Sequence, residues 1–317
     1  MNDWQPSASI ATLEQRARML VRVRQHFANT GALEVETPAL SAAAVTDVHL
    51  LSVRAEVCGA ARYLHTSPEY AMKRLLAAYR RDIWQAARVY RDGESGRWHN
   101  PEFTMIEWYR IGIDDRALMD EVETLIAAVI EPYRTLQAAE RLTYADAMGR
   151  YARIDAFGSP IDELRARLLR ADIEVPASLG QDRDAYLDLL MATLVGPQLG
   201  RDHVTFVQDY PASQAALARV HGKVAARFEA YLDGVELANG FHELSDAHEQ
   251  RARFERDLQT RTASGLIAPP IDERFLAALN HGLPDCAGVA LGFDRLVMCA
   301  LGAKHIDEVL AFPFARG

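Results

Sequence analysis

The first part of the chain carries the hydrophobic patterns of helices and strands in turn. Apolar side chains recur at helical spacing from Ile10 to Phe27, and Gly31 follows as a stop for that helix. Leu33 to Pro38 then alternates like a strand that ends at proline. Ser67 is followed by proline and an acid, the order of a helix start in which the serine is the N-cap. These patterns predict a helix, a strand and a second helix.

The rest of the chain predicts strand pairs, further helices and a separate helical segment. Residues 133–201 contain short helical stretches punctuated by glycine and proline, without a motif that indicates chemistry. The other predicted strands are Ile83–Tyr90, Phe103–Ile111, Val204–Gln208, Arg227–Leu232, Val235–Leu244 and Ala287–Leu291, and the other predicted helices are Asp115–Ile130, Asp246–Ser264 and Asp294–Leu301. Together they predict one α+β domain over residues 1–317, an antiparallel β-sheet flanked by helices, with a helical insertion at about 133–201.

Composition narrows the function classes. The chain has 317 residues, 49% of them hydrophobic, and a formal charge of −9, which argues against a protein built mainly to hold a nucleic-acid backbone. No apolar stretch reaches the roughly 20 residues of a membrane helix, and Met1 to Ser9 is too polar for a signal peptide. Cys58, Cys286 and Cys299 are odd in number and widely spaced, so we expect buried thiols and no disulfide or zinc site. A cytoplasmic protein fits best.

The densest chemical signal is the segment Arg88 to Arg110. Its second predicted strand places Phe103, Glu107 and Tyr109 on one face by period-2 alternation, and a carboxylate among aromatic rings is unusual for a core. Arg91 lies at the start of the loop between the two strands. An amphipathic strand with a solvated glutamate would give the same pattern.

A second signal is a series of three carboxylates, Glu229, Glu236 and Glu243, in otherwise apolar segments with Asn239 and Phe241 between them. Buried carboxylates are costly unless they bind cations or a metal. Oxygen ligands of this kind suit Mg²⁺, which takes one or two carboxylates together with substrate phosphates. Alternatively, two of the three are ordinary surface glutamates.

A third signal is the glycine-rich run GVALGFDRLVM from Gly288 to Met298. Glycines before a helix start allow a ligand to approach closely, and Arg295 in the first turn can reach an anion there. A purely structural turn at Asp294 and Arg295 would have the same sequence.

In this order, the segments resemble the catalytic core of class II aminoacyl-tRNA synthetases. Gly31–Pro38 resembles the first, dimer-forming motif, Arg88–Arg110 the second and Gly288–Met298 the third. The runs TSPEYAMKRLL, HNPEFTMIEWY and GVELANGFHEL resemble the lysine-pocket segments of the lysyl branch. The resemblance covers nearly the whole chain.

The position of the first motif points to one group within that branch. Lysyl-tRNA synthetases carry an anticodon-binding barrel before this core, but here the first helix begins near Ile10. With Trp4–Ser9 and the segment Pro211–Leu217, the chain is similar to the stand-alone ligase family that joins (R)-β-lysine to translation elongation factor P. The resemblance implies use of ATP and Mg²⁺, lysine or (R)-β-lysine as substrate, elongation factor P and not tRNA as acceptor, and a homodimer formed through the motif of Pro38.

The same resemblance assigns a role to each matching residue. Arg91 and Arg295 correspond to the catalytic arginines. The other residues matched to ATP contacts are Asp92, Gly93, His99, Asn100, Phe103, Glu236, Leu237 and Gly292. The residues matched to the lysine pocket are Ser67, Pro68, Glu69, Glu107, Tyr109, Asn239, Phe241, Glu243 and Ala290. Glu229 and Glu236 correspond to the acids linked to Mg²⁺.

Two departures from the family pattern matter. The second motif usually reads Arg-Asn-Glu but here it reads Arg91-Asp92-Gly93, so either Glu94 replaces the glutamate or backbone groups suffice. Lysyl synthetases have glycine where this chain has Ala290, and the added methyl should disfavour α-lysine by roughly 1–3 kcal/mol. The expected reaction forms an aminoacyl-adenylate and then transfers the acyl group. A truncated enzyme that charges tRNA and a silent synthetase-like regulator are the alternatives.

Overall fold

Nine α-helices and twelve strands make up the regular structure of residues 4–317, the part of the chain that the computed structural model describes. The helices are α1 Ile10–Thr30, α2 Glu69–Tyr79, α3 Asp115–Ile130, α4 Tyr144–Ala147, α5 Ile161–Leu169, α6 Arg183–Leu190, α7 Ala247–Ala263, α8 Glu273–Gly282 and α9 Phe293–Leu301. The strands are β1 Leu33–Glu34, β2 Leu40–Ser41, β3 Arg54–Val57, β4 Ala60–Leu64, β5 Ile83–Tyr90, β6 Glu102–Ile111, β7 Gln137–Thr143, β8 His203–Pro211, β9 Val220–His221, β10 Val224–Leu232, β11 Val235–His242 and β12 Cys286–Gly292. The start of the polar N-terminal segment, residues 1–3, lies outside the described residues.

The large sheet has the strand order β1-β5-β6-β12-β11-β10-β8-β7, with β9 paired to β10. All pairs from β5 to β8 are antiparallel, which confirms the predicted fold class, whereas the outer strands β1 and β7 pair in parallel. Strands β2, β4 and β3 form a separate small sheet. The chain thus brings β12, which lies late in the sequence, between β6 and β11.

Alternation along the strands gives the large sheet two different faces. One face packs its apolar side chains against α1, α3 and α9, and the rings of Phe27 and Trp84 stack there 4.6 Å apart. The other face is covered at one end by α2, α7 and α8, and at the other end by the helices of the segment after β7. Between them lies a strip of the second face, whose apolar floor is formed by the buried side chains of Ala87, Val89 and Met105.

Several predicted elements agree with the structure because their local signals are strong. Helix α3 has the predicted bounds, with the Asp114 side chain accepting the N–H of Ala117. Helix α1 ends at Gly31, whose φ of 76° lies in the left-handed region. The β10–β11 hairpin turns at Asp233 and Gly234, both at positive φ, as a two-residue turn with a matching twist requires.

Other predictions were wrong. Residues 137–143 form strand β7 and not a helix, because pairing with the open edge of β8 overrides the helix preference of a segment, QAAERLT, that consists mostly of good helix formers. The strand predicted to run to Pro38 is only the two residues of β1. Helix α2 starts at Glu69, with Pro68 and not Ser67 at its N-cap. Cys58 is exposed in the β3–β4 turn, while the other two cysteines are buried as expected.

The division of the chain into one domain with an insertion stays a prediction. Side chains of β7, β8 and β10 contribute to the apolar cluster of the helices between residues 144 and 198, so that segment packs on the large sheet. Within residues 4–317 we find no helix with the length and apolar character needed to cross a bilayer.

Candidate active site

Polar side chains on the second sheet face lie in two rows that run across five strands. The first row pairs Gln85 with Glu107, Glu107 with Ala290, Ala290 with Asn239, and Asn239 with Glu229. The second row, one pleat further along, pairs Tyr109 with Gly288, Gly288 with Phe241, and Phe241 with Arg227. Directly opposed residues lie about 4.5–5.5 Å apart, so residues far apart in the sequence converge on one small surface.

The end of the rows near β6 holds a buried cluster of charges. The Tyr109 hydroxyl donates to one oxygen of Glu107 at 2.6 Å, and the Ser67 hydroxyl donates to the other oxygen, also at 2.6 Å. The ammonium of Lys73 in α2 lies 2.5 Å from Oε1 of Glu69 and 2.6 Å from Oε2 of Glu243. Five of the predicted pocket residues therefore lie in one cluster with a lysine that was not predicted: Ser67, Glu69, Glu107, Tyr109 and Glu243.

Burial shifts the ionisation of this cluster. It raises the pKa of Glu107 to about 7, with a further upward contribution from the charge of Glu69, against the hydrogen bonds from Ser67 and Tyr109. Burial likewise raises the pKa of Glu243, and the charge of Lys73 opposes that shift. For Lys73, burial lowers the pKa, but Glu243 and Glu69 outweigh this effect and the ammonium stays charged. A cation bound beside these carboxylates therefore favours their ionised form and is itself strongly stabilised.

Small residues on β12 make room for this cluster. A Cβ on Gly288 would lie 2.2 Å from Cε1 of Tyr109 and 2.4 Å from Oε1 of Glu243, so any larger residue collides with both. Ala290, two residues on, packs against the apolar floor beside Phe103. Its methyl stands between Glu107 and Asn239 in the first row, where the sequence predicted a narrowing of the pocket.

Two arginines lie beyond the apolar floor. The guanidinium of Arg91 lies 5.1 Å from the centre of the Phe103 ring, and its Nε donates to the Thr66 carbonyl at 3.4 Å. Its Nη1 is 3.6 Å from Oε1 of Glu94, so Glu94 lies beside the second-motif arginine. Asp92 is exposed, and only its backbone N–H is fixed, by the Leu51 carbonyl at 2.8 Å.

Arg295 is held in place from three sides. Its Nη1 donates to the Glu236 carbonyl at 2.9 Å, its Nε donates to the Trp98 carbonyl at 3.2 Å, and its Nη2 is 2.6 Å from Nε2 of His99. Burial and the charge of Arg295 lower the pKa of His99, which favours the neutral ring that can accept this bond. The guanidinium is thus oriented by the protein before any ligand binds.

Glu229 belongs to a network that the sequence did not predict. Nη2 of Arg227 and the hydroxyl of Tyr231 each donate to one of its oxygens at 2.6 Å, and Nε of Arg227 also donates to Oδ1 of Asn239 at 3.2 Å. Glu236 is more open, with a side chain 42% exposed and 3.6 Å from Arg295.

Glu229 and Glu236 are the predicted ligands of Mg²⁺. Within residues 4–317 no group of three or more acidic, histidine or cysteine side chains is arranged to hold an ion. Glu229 keeps unused lone pairs and Glu236 keeps an open side chain, so the residues can supply two carboxylates at most. That donor set fits Mg²⁺ held mainly by the phosphates of a nucleotide, and it does not fit a permanently bound metal.

The remaining residues predicted to contact ATP differ in which of their groups face the site. The Leu237 side chain is buried on the opposite sheet face, so only its backbone faces the site, 3.8 Å from the Cβ position of Gly292. The Asn100 amide is already used by backbone groups, donating to the Glu102 carbonyl at 2.6 Å and accepting the N–H of Phe314 at 2.9 Å. Gly93 is exposed with a φ of 79°, a conformation that disfavours other residues.

Lys73 and Arg227 are two charged site residues that sequence reasoning missed. Lys73 is four residues after Glu69, the spacing at which oppositely charged side chains meet on a helix. Arg227 has the same parity as Glu229 and Tyr231 on one strand, so the three side chains had to share a face. Both signals are present in the sequence.

Comparison with known proteins gives the class to which this site belongs. The family model described as tRNA synthetases class II (D, K and N) matches residues 2–316. The chain therefore belongs to the class II tRNA synthetase family, as its three motifs predicted.

Curated relatives are more specific. A protein of Proteus mirabilis is 50% identical over 99% of this chain and 98% of its own length. Proteins of Edwardsiella ictaluri and Vibrio cholerae are each 49% identical, over 100% and 99% of this chain and 99% of their own lengths. All three are named elongation factor P–(R)-β-lysine ligase. The predicted similarity to that ligase family is thereby confirmed.

Proposed function

We propose that this protein activates (R)-β-lysine, or lysine, with ATP and transfers it to a lysine side chain of translation elongation factor P. The observation that carries the proposal is a single sheet face with buried carboxylates at one end and two anchored arginines at the other. A diamino acid has the matching polarity, because its ammonium groups and its carboxylate need opposite partners. The three named relatives support the same assignment.

In this proposal the amino acid lies along the two rows. Glu69, Tyr109 and Glu243 hold ammonium groups, and Asn239 and Phe241 line the adjacent wall. The substrate carboxylate points towards Arg91, whose guanidinium lies beyond the apolar floor. Ala290 lies between these ends and favours an amine in the β position over one in the α position.

ATP occupies the other end of the strip. Phe103 and Arg295 enclose the adenine, and Arg91 and Arg295 hold the phosphates. Glu229 and Glu236 are the residues that would hold Mg²⁺, which neutralises phosphate charge when it is bound. Arg295 needs no reorganisation for this task, since three backbone and side-chain contacts already fix its orientation.

The reaction has two steps, and neither needs a covalent enzyme intermediate. First, an oxygen of the substrate carboxylate attacks the α-phosphorus of ATP, the bond to the β-phosphate oxygen breaks, and diphosphate leaves. Then the neutral ε-amine of an acceptor lysine attacks the acyl carbon, AMP leaves, and the amine proton passes to solvent. Arg91 stabilises the charge that develops on the α-phosphate, and correct positioning of the reactants supplies much of the remaining rate.

A homodimer is part of the proposal. Ile10 and Val21 of α1 and Leu33 and Leu40 around the first motif are large apolar side chains exposed on this chain. A partner subunit that covers them would remove this surface from water. Light scattering coupled to size-exclusion chromatography should give the mass of two chains, and the mass of one chain would contradict this part.

The decisive experiment for the activity has two stages. Exchange of labelled diphosphate into ATP is measured with (R)-β-lysine, α-lysine and no amino acid. Mass spectrometry of elongation factor P then follows incubation with each isomer, with tRNA offered in parallel. We expect exchange that depends on the amino acid and a mass increase of one lysyl unit on elongation factor P. Label on tRNA alone would favour a tRNA-charging enzyme, and absence of exchange at high substrate would favour a silent regulator.

A further inference from the structure

Lys73 is an unusual residue for the middle of a helix that packs against a sheet. Its side chain is fully buried, with its ammonium between Glu69 on its own helix and Glu243 at the end of β11. Apolar side chains surround the rest of it, including Phe275, whose ring centre is 5.8 Å from the ammonium. Burial of an ammonium is unfavourable for folding, and the attraction of its partners only offsets that desolvation. An apolar residue would therefore fill this position more favourably.

Lys73 fixes the direction in which Glu243 faces the pocket. It occupies Oε2 of Glu243 at 2.6 Å, which leaves Oε1 turned towards Gly288 and the ring of Tyr109. The same ammonium holds Oε1 of Glu69, and the other oxygen of Glu69 accepts no hydrogen bond from the described residues. One buried cation therefore orients two carboxylates while one oxygen of each stays available.

Charge balance indicates which ligand this arrangement suits. Glu69, Glu107 and Glu243 carry three negative charges when ionised, and Lys73 is the one cation paired with them among the described residues. The balance is two negative charges, which two ammonium groups would neutralise. Without Lys73, three crowded carboxylates would repel one another and retain protons.

We propose that Lys73 is a positioning residue that orients Glu69 and Glu243 and sets the pocket to select an amino acid with two ammonium groups. The identity of that amino acid rests on the proposed function. Among the described residues, the ion pairs of Lys73 are with Glu69 and Glu243 and not with the residues assigned to ATP, so its effect falls on amino-acid affinity and not on ATP. A purely structural ion pair would instead change stability and leave substrate discrimination unaltered.

The test compares neutral and charged replacements of Lys73. Lys73→Met and Lys73→Gln remove the cation, Lys73→Arg keeps it, and Arg74→Met removes an exposed charge from the same helix as a matched control. For each full-length variant, calorimetry gives the affinity for (R)-β-lysine and for 3-aminohexanoic acid of the same configuration, which lacks the terminal ammonium. The ratio of the two affinities measures discrimination at pH 6.5 and at pH 8.5, and diphosphate exchange gives the KM of ATP.

We expect the neutral variants to lose discrimination by at least about tenfold at both pH 6.5 and pH 8.5, because removal of the ammonium that lowers the pKa of Glu243 lets this carboxyl keep its proton at both values. The KM of ATP should stay within about twofold, and Lys73→Arg should discriminate better than Lys73→Gln. If Lys73→Met does not fold, the Gln and Arg variants make the same comparison. Unchanged discrimination in a folded neutral variant, or an equal loss in the Arg variant, overturns the inference. Because binding is measured directly, wild-type protein that binds the diamino acid without supporting exchange would refute the proposed function alone.

Discussion

Replacement of Gly288 by alanine tests the packing of the whole pocket with one added methyl. The new Cβ would lie 2.2 Å from Cε1 of Tyr109 and 2.4 Å from Oε1 of Glu243. Ordinary contact requires about 3.4 Å or more to a ring carbon, so the ring must move by about 1 Å. Tyr109 is 2% exposed and its hydroxyl is fixed to Glu107 at 2.6 Å, while Glu243 is fixed to Lys73 at 2.6 Å. Neither neighbour can move without losing a charged contact.

These constraints give the size of the effect. Overpacking costs about 1–3 kcal/mol, and a lost hydrogen bond to a charged group costs about 1.5–3 kcal/mol. Part of this cost falls on folding, so we expect Gly288→Ala to lower the melting temperature by several degrees. The remainder falls on the site, where a displacement of about 1 Å can cost 100-fold in activity. The KM of the amino acid should therefore rise far more than the KM of ATP.

The assays are differential scanning calorimetry and diphosphate exchange at varied amino-acid concentration. Gly149→Ala is the matched control, because its φ is not positive and nothing lies within 4 Å of the new Cβ. That variant should keep the wild-type stability and kinetics. A Gly288→Ala protein with wild-type melting temperature and amino-acid KM would refute the packing argument, as would a crystal structure of it with Tyr109 unmoved.

Three further predictions concern affinity, isomer choice and stability. Because burial raises the pKa of Glu107 to about 7, an ammonium bound beside it displaces a proton, so affinity for the diamino acid should rise from pH 6 to pH 8. Calorimetry in buffers of different ionisation enthalpy should detect that released proton, and pH-independent binding would contradict it. Ala290→Gly removes the methyl between two pocket residues and should raise the kcat/KM ratio of α-lysine to (R)-β-lysine by about tenfold in the exchange assay, whereas an unchanged ratio would place the methyl outside the pocket. For Glu121, burial alone would raise the pKa, but hydrogen bonds from His26 and Arg110 lower it to about 2. The interactions of ionised Glu121 with these two residues stabilise the fold above pH 4.5 and are lost as the pH falls towards 2. Glu121→Gln should therefore lower the free energy of unfolding by about 1–3 kcal/mol at pH 7 and by progressively less below pH 4.5. Thermal unfolding across that range measures the difference, and a constant gap would exclude the mechanism.

Local signals explain which parts of the fold could be predicted. Helix α3 has a complete apolar stripe and an aspartate cap, and β10 and β11 flank a turn that only certain residues adopt. Strand β7 could not be predicted this way, because its sequence suits a helix and its strand conformation comes from pairing with β8. Its partner residues lie about 65 positions further along the sequence, beyond the reach of any local pattern.

Part of the candidate site could likewise be predicted from local sequence patterns, and part could not. The face shared by Phe103, Glu107 and Tyr109 follows from period-2 alternation alone, and the structure agrees. The contact of Gly288 with both Tyr109 and Glu243 depends on the register of three strands, which alternation does not specify. A buried lysine such as Lys73 goes against the usual rule that lysine is exposed. Its spacing from Glu69 can be read from the sequence, but its ion pair with Glu243 depends on the tertiary fold.

The place of β12 in the sheet has a consequence for how the protein is made. Strand β12 lies between β6 and β11 although nearly the whole chain precedes it, so a growing chain has two open strand edges until residues 286–292 emerge. Open edges pair readily with other chains, and this protein must therefore pass through an aggregation-prone stage late in synthesis. A chain truncated before Gly292 should keep both edges open and remain prone to aggregation. In the proposed binding mode an amino acid contacts β6, β11 and β12 together, so its binding would favour closure of the gap by mass action.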